Sequence, residues 1–176
     1  MNTGTDQAWP QAIHSALSAR AIRQVAYVPD AGHRRLIELC AADPAMRAIA
    51  LTREEEGIGL LAGAWLGGQR GVLLMQSSGL GNCVNAIASI TRACQFPLLM
   101  LITMRGDWAE GNPWQIPMGQ ATLPVLAALS VRVEAARSAD EAVAAVAAMA
   151  DMSFASGIAC AVLLSQRLIG AKAFKQ

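Results

Sequence analysis

The stretch GVLLMQSSGLGN, residues 71–82, decides the fold of this chain. Its first half, Gly71–Gln76, is a short apolar run of the kind that forms a buried strand. Its second half, Ser77–Asn82, places two serines and two glycines in a turn, and a helix-forming segment over Leu80–Cys94 follows. A buried strand, a tight turn and a helix in succession indicate a βα unit of a parallel sheet.

The same alternation of short apolar runs and longer Ala/Leu-rich segments continues on both sides of this unit. The predicted strands are Gln24–Val28, Arg47–Leu51, Gly71–Gln76, Leu98–Thr103, Val131–Glu134 and Ile158–Leu163. The predicted helices are Gln7–Ala21, His33–Ala42, Glu55–Leu66, Leu80–Cys94, Thr122–Leu129 and Asp140–Ser153. This order predicts a doubly wound, mostly parallel six-stranded α/β sheet with helices on both faces, a flavodoxin-like three-layer sandwich. No linker is visible, so residues 1–176 are expected to form a single domain.

The amino-acid composition indicates which kinds of partner to expect. Only 15% of the residues are charged and 54% are hydrophobic, whereas about a quarter of a typical domain is charged. So little charge favours a large buried interface with another chain. The net charge of +1, without any run of Lys or Arg, gives no indication of a nucleic acid partner.

No segment indicates a membrane. The longest apolar runs reach only about ten residues, half of what a membrane-spanning helix needs. The N-terminus lacks the basic start and apolar run of a secretory signal. The scattered cysteines, Cys40, Cys83, Cys94 and Cys160, are expected to be buried thiols of a protein in the reducing cytoplasm.

Polar residues follow three of the predicted strands. These strand ends carry Asp30, the run Glu54-Glu55-Glu56, and the turn Ser77–Asn82. Because ligands of open α/β sheets bind outside the carboxyl ends of the strands, all three are expected at one functional edge.

The three glutamates have two interpretations. Acidic residues in a first helical turn complement the helix dipole, which alone explains such a cluster. However, Gly59, Gly63 and Gly67 recur at every fourth position of the helix that follows, although glycine costs about 1 kcal/mol relative to alanine in a helix interior. They provide a smooth face for close packing, so a carboxylate at the start of this helix would be partly desolvated.

The glycine turn also has two interpretations. It is either an ordinary βα turn capped by a serine or Asn82, or a ligand site. As a phosphate site it is weak, because it lacks the third glycine of GxGxxG and the lysine of a P-loop. Gly79 and Gly81 would nevertheless let a flat ligand lie directly against the backbone.

A long loop is predicted over Met104–Met118. It contains two glycines and two prolines, and polar residues lie around Trp108 and Trp114. Long loops in compact domains are usually functional or disordered, and two tryptophans favour an ordered loop that packs on another surface.

Together, REEEGIGLLAGAWLGG (53–68) and GVLLMQSSGLGN (71–82) resemble the pyrimidine-binding domain of thiamine-diphosphate enzymes. The resemblance is strongest to the alpha subunits of sulfopyruvate decarboxylase and to the corresponding half of phosphonopyruvate decarboxylase. It extends from Val28–Asp30 through Pro97–Leu99 and Met104–Gly106 to Pro113–Thr122.

The resemblance implies roles for particular residues. Aligning the aromatic residue, here Trp65, places the family's activating glutamate ten positions earlier at Glu55, where it would bond N1′ of the aminopyrimidine and promote loss of the thiazolium C2 proton. The implied cofactor-binding residues are Glu55, Ser78, Gly79, Leu80, Gly81 and Asn82. Asp30, Arg105 and Gln115 are the implied substrate contacts. Related decarboxylases have Gln-His before a Gly-x-x-Thr, whereas this chain has Trp114-Gln115 before Gly119–Thr122, so substrate identity stays open.

The chain lacks the other half of such an active site. The family holds Mg²⁺ and the diphosphate through a GDG motif and a downstream Asn, whereas the only Gly-Asp here is Gly106-Asp107, followed by Trp108. The resemblance therefore implies a separate beta subunit that binds Mg²⁺ and diphosphate, an α2β2 or larger heteromer, and no activity for the isolated chain. The alternatives are a carboligase or lyase subunit acting on another 2-oxoacid, and a non-catalytic scaffold of the same fold.

Overall fold

A computed structural model describes residues 8–171, with a six-stranded sheet at its centre. The strands are β1 (Ile22–Tyr27), β2 (Arg47–Ala50), β3 (Arg70–Gln76), β4 (Leu98–Thr103), β5 (Arg132–Ala136) and β6 (Ala159–Leu164). Their order is β2-β1-β3-β4-β6-β5, and every pairing is parallel. The predicted doubly wound α/β sheet is confirmed.

Seven α-helices connect and flank the strands in the described part of the chain. They are α1 (Ala8–Ala19), α2 (Arg34–Ala42), α3 (Glu54–Leu66), α4 (Leu80–Ala86), α5 (Ile116–Ala128), α6 (Ala139–Ser156) and α7 (Gln166–Ile169). A π-helical turn, Ile87–Arg92, continues α4, and 3-10 turns cover Ser77–Gly79 and Pro113–Gln115. The predicted start of the first helix, Gln7, lies outside the described residues.

Two hydrophobic cores cover the two faces of the sheet. Along β3, Val72 and Leu74 point into one core, and Leu73 and Met75 point into the other, as the two-residue period of a strand requires. The first core is completed by α1, α2 and α6, and the second by α3, α4 and α5. Strands β4 and β6 are buried along their whole length, which explains their uninterrupted apolar sequences.

Helix α5 differs most from the sequence prediction. It begins at Ile116, six residues before the predicted start at Thr122, so the loop predicted over Met104–Met118 is shorter. Pro117 lies in its first turn, where no intrahelical N–H bond is lost. Gly119 is buried against the backbone carbonyl of Arg105, and the absence of a side chain permits this contact.

Two further differences are small. Helix α7, directly after β6, is too short to give a periodic signal and was not predicted. Cys94 is exposed, whereas Cys40, Cys83 and Cys160 are buried as expected, and all four thiols are free. Between residues 8 and 171, no helix combines the length and apolarity that a membrane crossing requires.

Candidate functional site

The site forms where the first turn of α3 meets the turn between β3 and α4. Helix α3 begins beyond the end of β2, crosses β1 and packs on β3 and α4. The glutamates after β2 therefore reach the glycine turn after β3, although β1 lies between these two strands in the sheet. This crossing confirms the expectation that the two sequence segments lie at one edge.

Each of the three glutamates has a different environment. Glu54 lies against Gly79, and its Oε2 accepts a hydrogen bond of 3.0 Å from Asn82 Nδ2. Glu56 accepts a hydrogen bond of 3.2 Å from the backbone N–H of Thr52, which satisfies a donor just ahead of the helix. Glu56 is thus a capping residue, as the helix-terminus interpretation predicted for the cluster.

Glu55 is the glutamate with an unused oxygen. Its Oε1 forms an ion pair of 2.9 Å with Nε of Arg53, whose side chain is 61% exposed. Its Oε2 is buried and has no hydrogen-bond partner among the described residues. A buried carboxylate oxygen without a donor is energetically costly, and the large majority of buried polar atoms in folded proteins have a partner.

The two glycines of the turn differ in what lies over them. A Cβ on Gly79 would collide with the carboxylate of Glu54, so this glycine is needed by the protein itself. A Cβ on Gly81 would meet only the Sδ atom of Met118, at 3.8 Å. Gly81 and its neighbour Asn82 are exposed, so the backbone available to a ligand is at Gly81.

The remaining residues of the turn have structural contacts. The side chain of Leu80 is completely buried in the second core. Ser78 is exposed and accepts a hydrogen bond of 3.2 Å from Gln76. Ser77, which the sequence analysis did not select, is buried and accepts a hydrogen bond of 3.1 Å from the backbone N–H of Arg105. Ser77 thereby ties the glycine turn to the loop that follows β4.

Cys83 is the buried residue beneath the glutamates. Burial raises the pKa of its thiol to about 12, and the negative charges of Glu54 and Glu55 add to the shift. Cys83 is therefore a neutral thiol near pH 7 and not a nucleophile.

Two of the predicted substrate contacts lie together beside this site. Asp30 and Arg105 line a cavity of about 90 Å³, together with Gly32 and Thr103. Asp30 accepts hydrogen bonds from Thr103 Oγ1 at 2.6 Å and from the backbone N–H of Gly32 at 3.1 Å. Gln115 is in the 3-10 turn before α5, and its backbone packs against Gly106.

The guanidinium of Arg105 is held by Glu110. Both hydrogen bonds, from Nε and Nη2, measure 2.7 Å, and the two side chains are 7% and 2% exposed. These contacts hold the pKa of Glu110 far below its usual value, at about 2, with the Arg105 hydrogen bonds as the main cause. Glu110 also receives a 3.0 Å hydrogen bond from Nε2 of Gln166 in α7.

His33 is a buried residue that sequence reasoning missed. Its Nε2 lies 3.0 Å from the carbonyl oxygen of Leu101, so that nitrogen carries the proton, and its Nδ1 has no partner among the described residues. Burial lowers the pKa of His33, and the nearby Asp30 only partly opposes the shift. The imidazole is neutral near pH 7.

Sequence reasoning also did not predict the contacts of Glu54, Ser77, Glu110 and Gln166. The spacing of Glu54 and Asn82 does not reveal their contact, because it depends on how α3 crosses the sheet. Glu110 and Gln166 are 56 residues apart, and neither belongs to a recognisable motif.

The sequence is similar to several known proteins. It is 37% identical over 154 residues to sulfopyruvate decarboxylase subunit alpha of Methanothermobacter thermautotrophicus, a match that covers 88% of this chain and 93% of the relative. The corresponding subunit of Methanococcus maripaludis is 36% identical, with 88% and 92% covered. Phosphonopyruvate decarboxylase of Streptomyces viridochromogenes is 36% identical over 109 residues, 61% of this chain and 28% of the relative. No family model matches the sequence.

The fold is also similar to a solved structure, that of 2-oxoglutarate:ferredoxin oxidoreductase from Magnetococcus marinus with 2-oxoglutarate, coenzyme A and succinyl-CoA bound. The TM-score is 0.74 at 12% identity, with 92% of this chain and 29% of the larger one covered. At this identity the similarity establishes the fold alone.

Proposed function

Because this chain belongs to the family of sulfopyruvate decarboxylase alpha subunits, we propose that it is the alpha subunit of a thiamine-diphosphate-dependent 2-oxoacid decarboxylase. The proposed substrates are 2-oxoacids with an anionic tail, such as sulfopyruvate or phosphonopyruvate. One observation supports this most directly: Glu55 has a buried oxygen without a hydrogen-bond partner among the described residues, in the same helical turn as Glu54, which contacts Gly79 and Asn82.

The residues of the site fit the pyrimidine end of thiamine diphosphate. Glu55 offers a carboxylate oxygen that is free to bond a ring nitrogen, Gly81 offers open backbone, and Asn82 offers polar groups at the rim. When bound, thiamine diphosphate supplies an electron sink for cleavage of the bond to the carboxyl carbon. In this proposal Glu55 holds and shares a proton at the ring nitrogen, while Ser78 and Leu80 shape the turn around it.

Arg53 pairs with the other carboxylate oxygen of Glu55, Oε1. The ion pair lies at the surface, where such pairs contribute about 1 kcal/mol or less, so a bound ligand or partner can displace it at little cost. Arg53 would then remain at the rim of the site.

For the substrate, we propose contacts with Asp30, Arg105 and Gln115. The cavity between Asp30 and Arg105 adjoins the glycine turn through Ser77. Because Glu110 occupies Nε and Nη2 of Arg105, the remaining amino group, Nη1, is the one proposed to contact a substrate.

A separate beta subunit is proposed to hold Mg²⁺ and the diphosphate, in a cytoplasmic heteromer of α2β2 or larger composition. The relatives are named as alpha subunits, which implies a second kind of subunit for them. On this chain, the layer of α3, α4 and α5 exposes the apolar side chains of Leu66, Val84 and Leu123, at 76%, 37% and 54%. A Cβ on Gly59 or Gly63, on the same layer, would meet no atom of residues 8–171 within 4 Å.

A carboligase or lyase acting on another 2-oxoacid is the second candidate. Trp114-Gln115, where related decarboxylases have Gln-His, is the feature that favours it. A non-catalytic scaffold is the third, and the unpaired oxygen of Glu55 opposes it because a scaffold gains nothing from that cost.

Co-expression with a beta subunit that carries GDG and a downstream Asn tests the proposal. The purified complex, supplied with thiamine diphosphate and Mg²⁺, is expected to release carbon dioxide from sulfopyruvate or phosphonopyruvate, and neither subunit is expected to do so alone. Acyloin products instead of aldehydes would favour the carboligase. Failure to bind the cofactor and to convert any 2-oxoacid would leave only the scaffold.

Replacing each glutamate singly by glutamine tests which of the three promotes loss of the cofactor's C2 proton. Glu55→Gln is expected to abolish exchange of the cofactor C2 proton while the complex stays assembled. Glu56→Gln is the matched control, because Glu56 only caps the helix. Loss of exchange in Glu54→Gln but not in Glu55→Gln would move the assignment by one residue.

A further inference from the structure

Glu54 joins two elements of the site that have no other direct side-chain link among the described hydrogen bonds. It is the first residue of α3. Its carboxylate lies on the backbone of Gly79 and bonds Asn82, two points on either side of the start of α4. The side chain is half-buried, and its hydrogen bond to the exposed Asn82 lies at the rim of the site.

The first turn of α3 depends on this contact. Arg53, at the N-cap position, makes no capping hydrogen bond from its side chain to the helix backbone, although a good N-cap contributes about 1 kcal/mol. Glu56 bonds Thr52, which precedes the helix, and Glu55 pairs with the exposed Arg53. Of the three glutamates, Glu54 alone fastens the helix to another element.

We propose that Glu54 is a positioning residue for the reaction proposed above, and this inference rests on that proposed function. Successive residues of a helix project about 100° apart, so the rotation of the first turn sets the direction of Glu55. By fixing Glu54 against Gly79 and Asn82, the protein fixes the free oxygen of Glu55 relative to the open backbone of Gly81. Gly79 leaves room for the carboxylate of Glu54, and Gly81 leaves its backbone open to the ligand.

A double-mutant cycle on the full chain without its partner tests the contact itself. Gly79→Ala is expected to lower the folding equilibrium constant about tenfold in urea titrations, because the new methyl displaces Glu54. In a Glu54→Ala background the same substitution should lower it less than threefold, since the space is then empty. Equal losses in both backgrounds would show that Glu54 does not lie on Gly79, and would overturn the inference.

The reconstituted complex tests the positioning role. Glu54→Gln keeps an oxygen that can accept from Asn82, so its kcat is expected within threefold of wild type. Glu54→Ala is expected to lower kcat at least tenfold and to displace the pH profile of kcat, with the KM of the 2-oxoacid changed less than threefold. Recovery of the profile by glutamine separates positioning from a merely structural role.

The other outcomes are equally decisive. A Glu54→Ala complex with wild-type kcat and pH profile overturns the positioning role. Loss of C2 exchange in Glu54→Gln, with exchange retained in Glu55→Gln, makes Glu54 the contacting residue and overturns it as well. If the wild-type complex binds no cofactor and decarboxylates nothing, the proposed function fails and the positioning role fails with it, while the measured coupling to Gly79 still stands as a structural result.

Discussion

His33 shows how a single buried group ties this fold to pH. Its ring is completely buried and donates to the carbonyl of Leu101, and its Nδ1 has no partner within residues 8–171. Adding a proton would place a charge in the core, and Asp30 together with the backbone of Leu101 and Met75 offsets its desolvation only in part. The folded protein therefore resists protonation at a pH where the unfolded chain accepts it.

The first prediction follows from the sign of this shift. The pKa of His33 is lowered in the folded state, so its contribution to stability is complete above the unfolded value of about 6.5 and is lost as pH falls below it. Between pH 7.5 and 5.5 the free energy of unfolding should fall by about 1 kcal/mol. His33→Gln should remove this part of the pH dependence in urea titrations, whereas His14→Gln should retain it.

Gly119 is a second residue at which one atom matters. A methyl group at position 119 would overlap the carbonyl oxygen of Arg105. Both groups are attached to backbone that cannot easily move. Gly119→Ala is expected to cost about 2 kcal/mol by overpacking. Gly63→Ala, on an exposed helical face with nothing nearby, should instead stabilise the chain by about 0.5 kcal/mol. Equal effects of the two substitutions on urea midpoints would contradict this account.

At the scale of elements, the loop after β4 is held by α7. The side-chain oxygen of Gln166 accepts from the backbone N–H groups of Asp107 and Trp108, each at 3.2 Å. The backbone N–H of Gln166 donates to Asp107, and its side-chain amide donates to Glu110. Arg167 lies over the ring of Trp108, 5.0 Å from its centroid. One short helix thus orders a loop that reaches the candidate substrate cavity.

Removing the side-chain hydrogen bonds of Gln166 should loosen the loop after β4 without unfolding the domain. Gln166→Ala is expected to speed hydrogen exchange at the amides of Asp107 and Trp108 at least tenfold, about 1.4 kcal/mol of local opening. Amides of β4 should be unchanged. Arg167→Ala is the control, because its exposed cation–π contact should contribute less. Protection of both amides in Gln166→Ala at the wild-type level would show that the loop is ordered by something else.

The elements also show how far sequence reasoning reaches. All six strands, helices α1 to α4 and helix α6 were predicted, because apolar periodicity and glycine turns are local signals. The start of α5 was misplaced because Pro117 and Gly119 indicate a loop when they are considered alone. Their places in the helix depend on the packing against Arg105, which no local pattern contains.

The candidate site could likewise be predicted from the sequence only in part. The turn at Gly79–Asn82 and the glutamate run were found from sequence and do come together. The different contacts of the three glutamates were not predicted. Glu54 and Asn82 are 28 positions apart in the sequence, and they meet because α3 crosses the sheet. Gly79 was expected to face a cofactor, whereas the structure places Glu54 over it.

The whole molecule has two unlike outer layers. The layer of α3, α4 and α5 exposes large apolar side chains and the open glycines of α3, next to Glu55. The opposite layer, of α1, α2 and α6, exposes small residues such as Ala144 and Ala148. The partner proposed to complete the site would approach from the side where Glu55 lies.

The last prediction uses this difference between the layers. Gly63→Leu should leave the isolated chain as stable as wild type or slightly more so, because the position is open and leucine favours a helix by about 0.8 kcal/mol over glycine. The same leucine should weaken assembly with the beta subunit at least tenfold by blocking close approach. Ala144→Leu, an equally exposed substitution on α6, should assemble normally. Size-exclusion chromatography with light scattering, followed by titration calorimetry, measures both, and equal affinities for the two variants would place the partner away from α3.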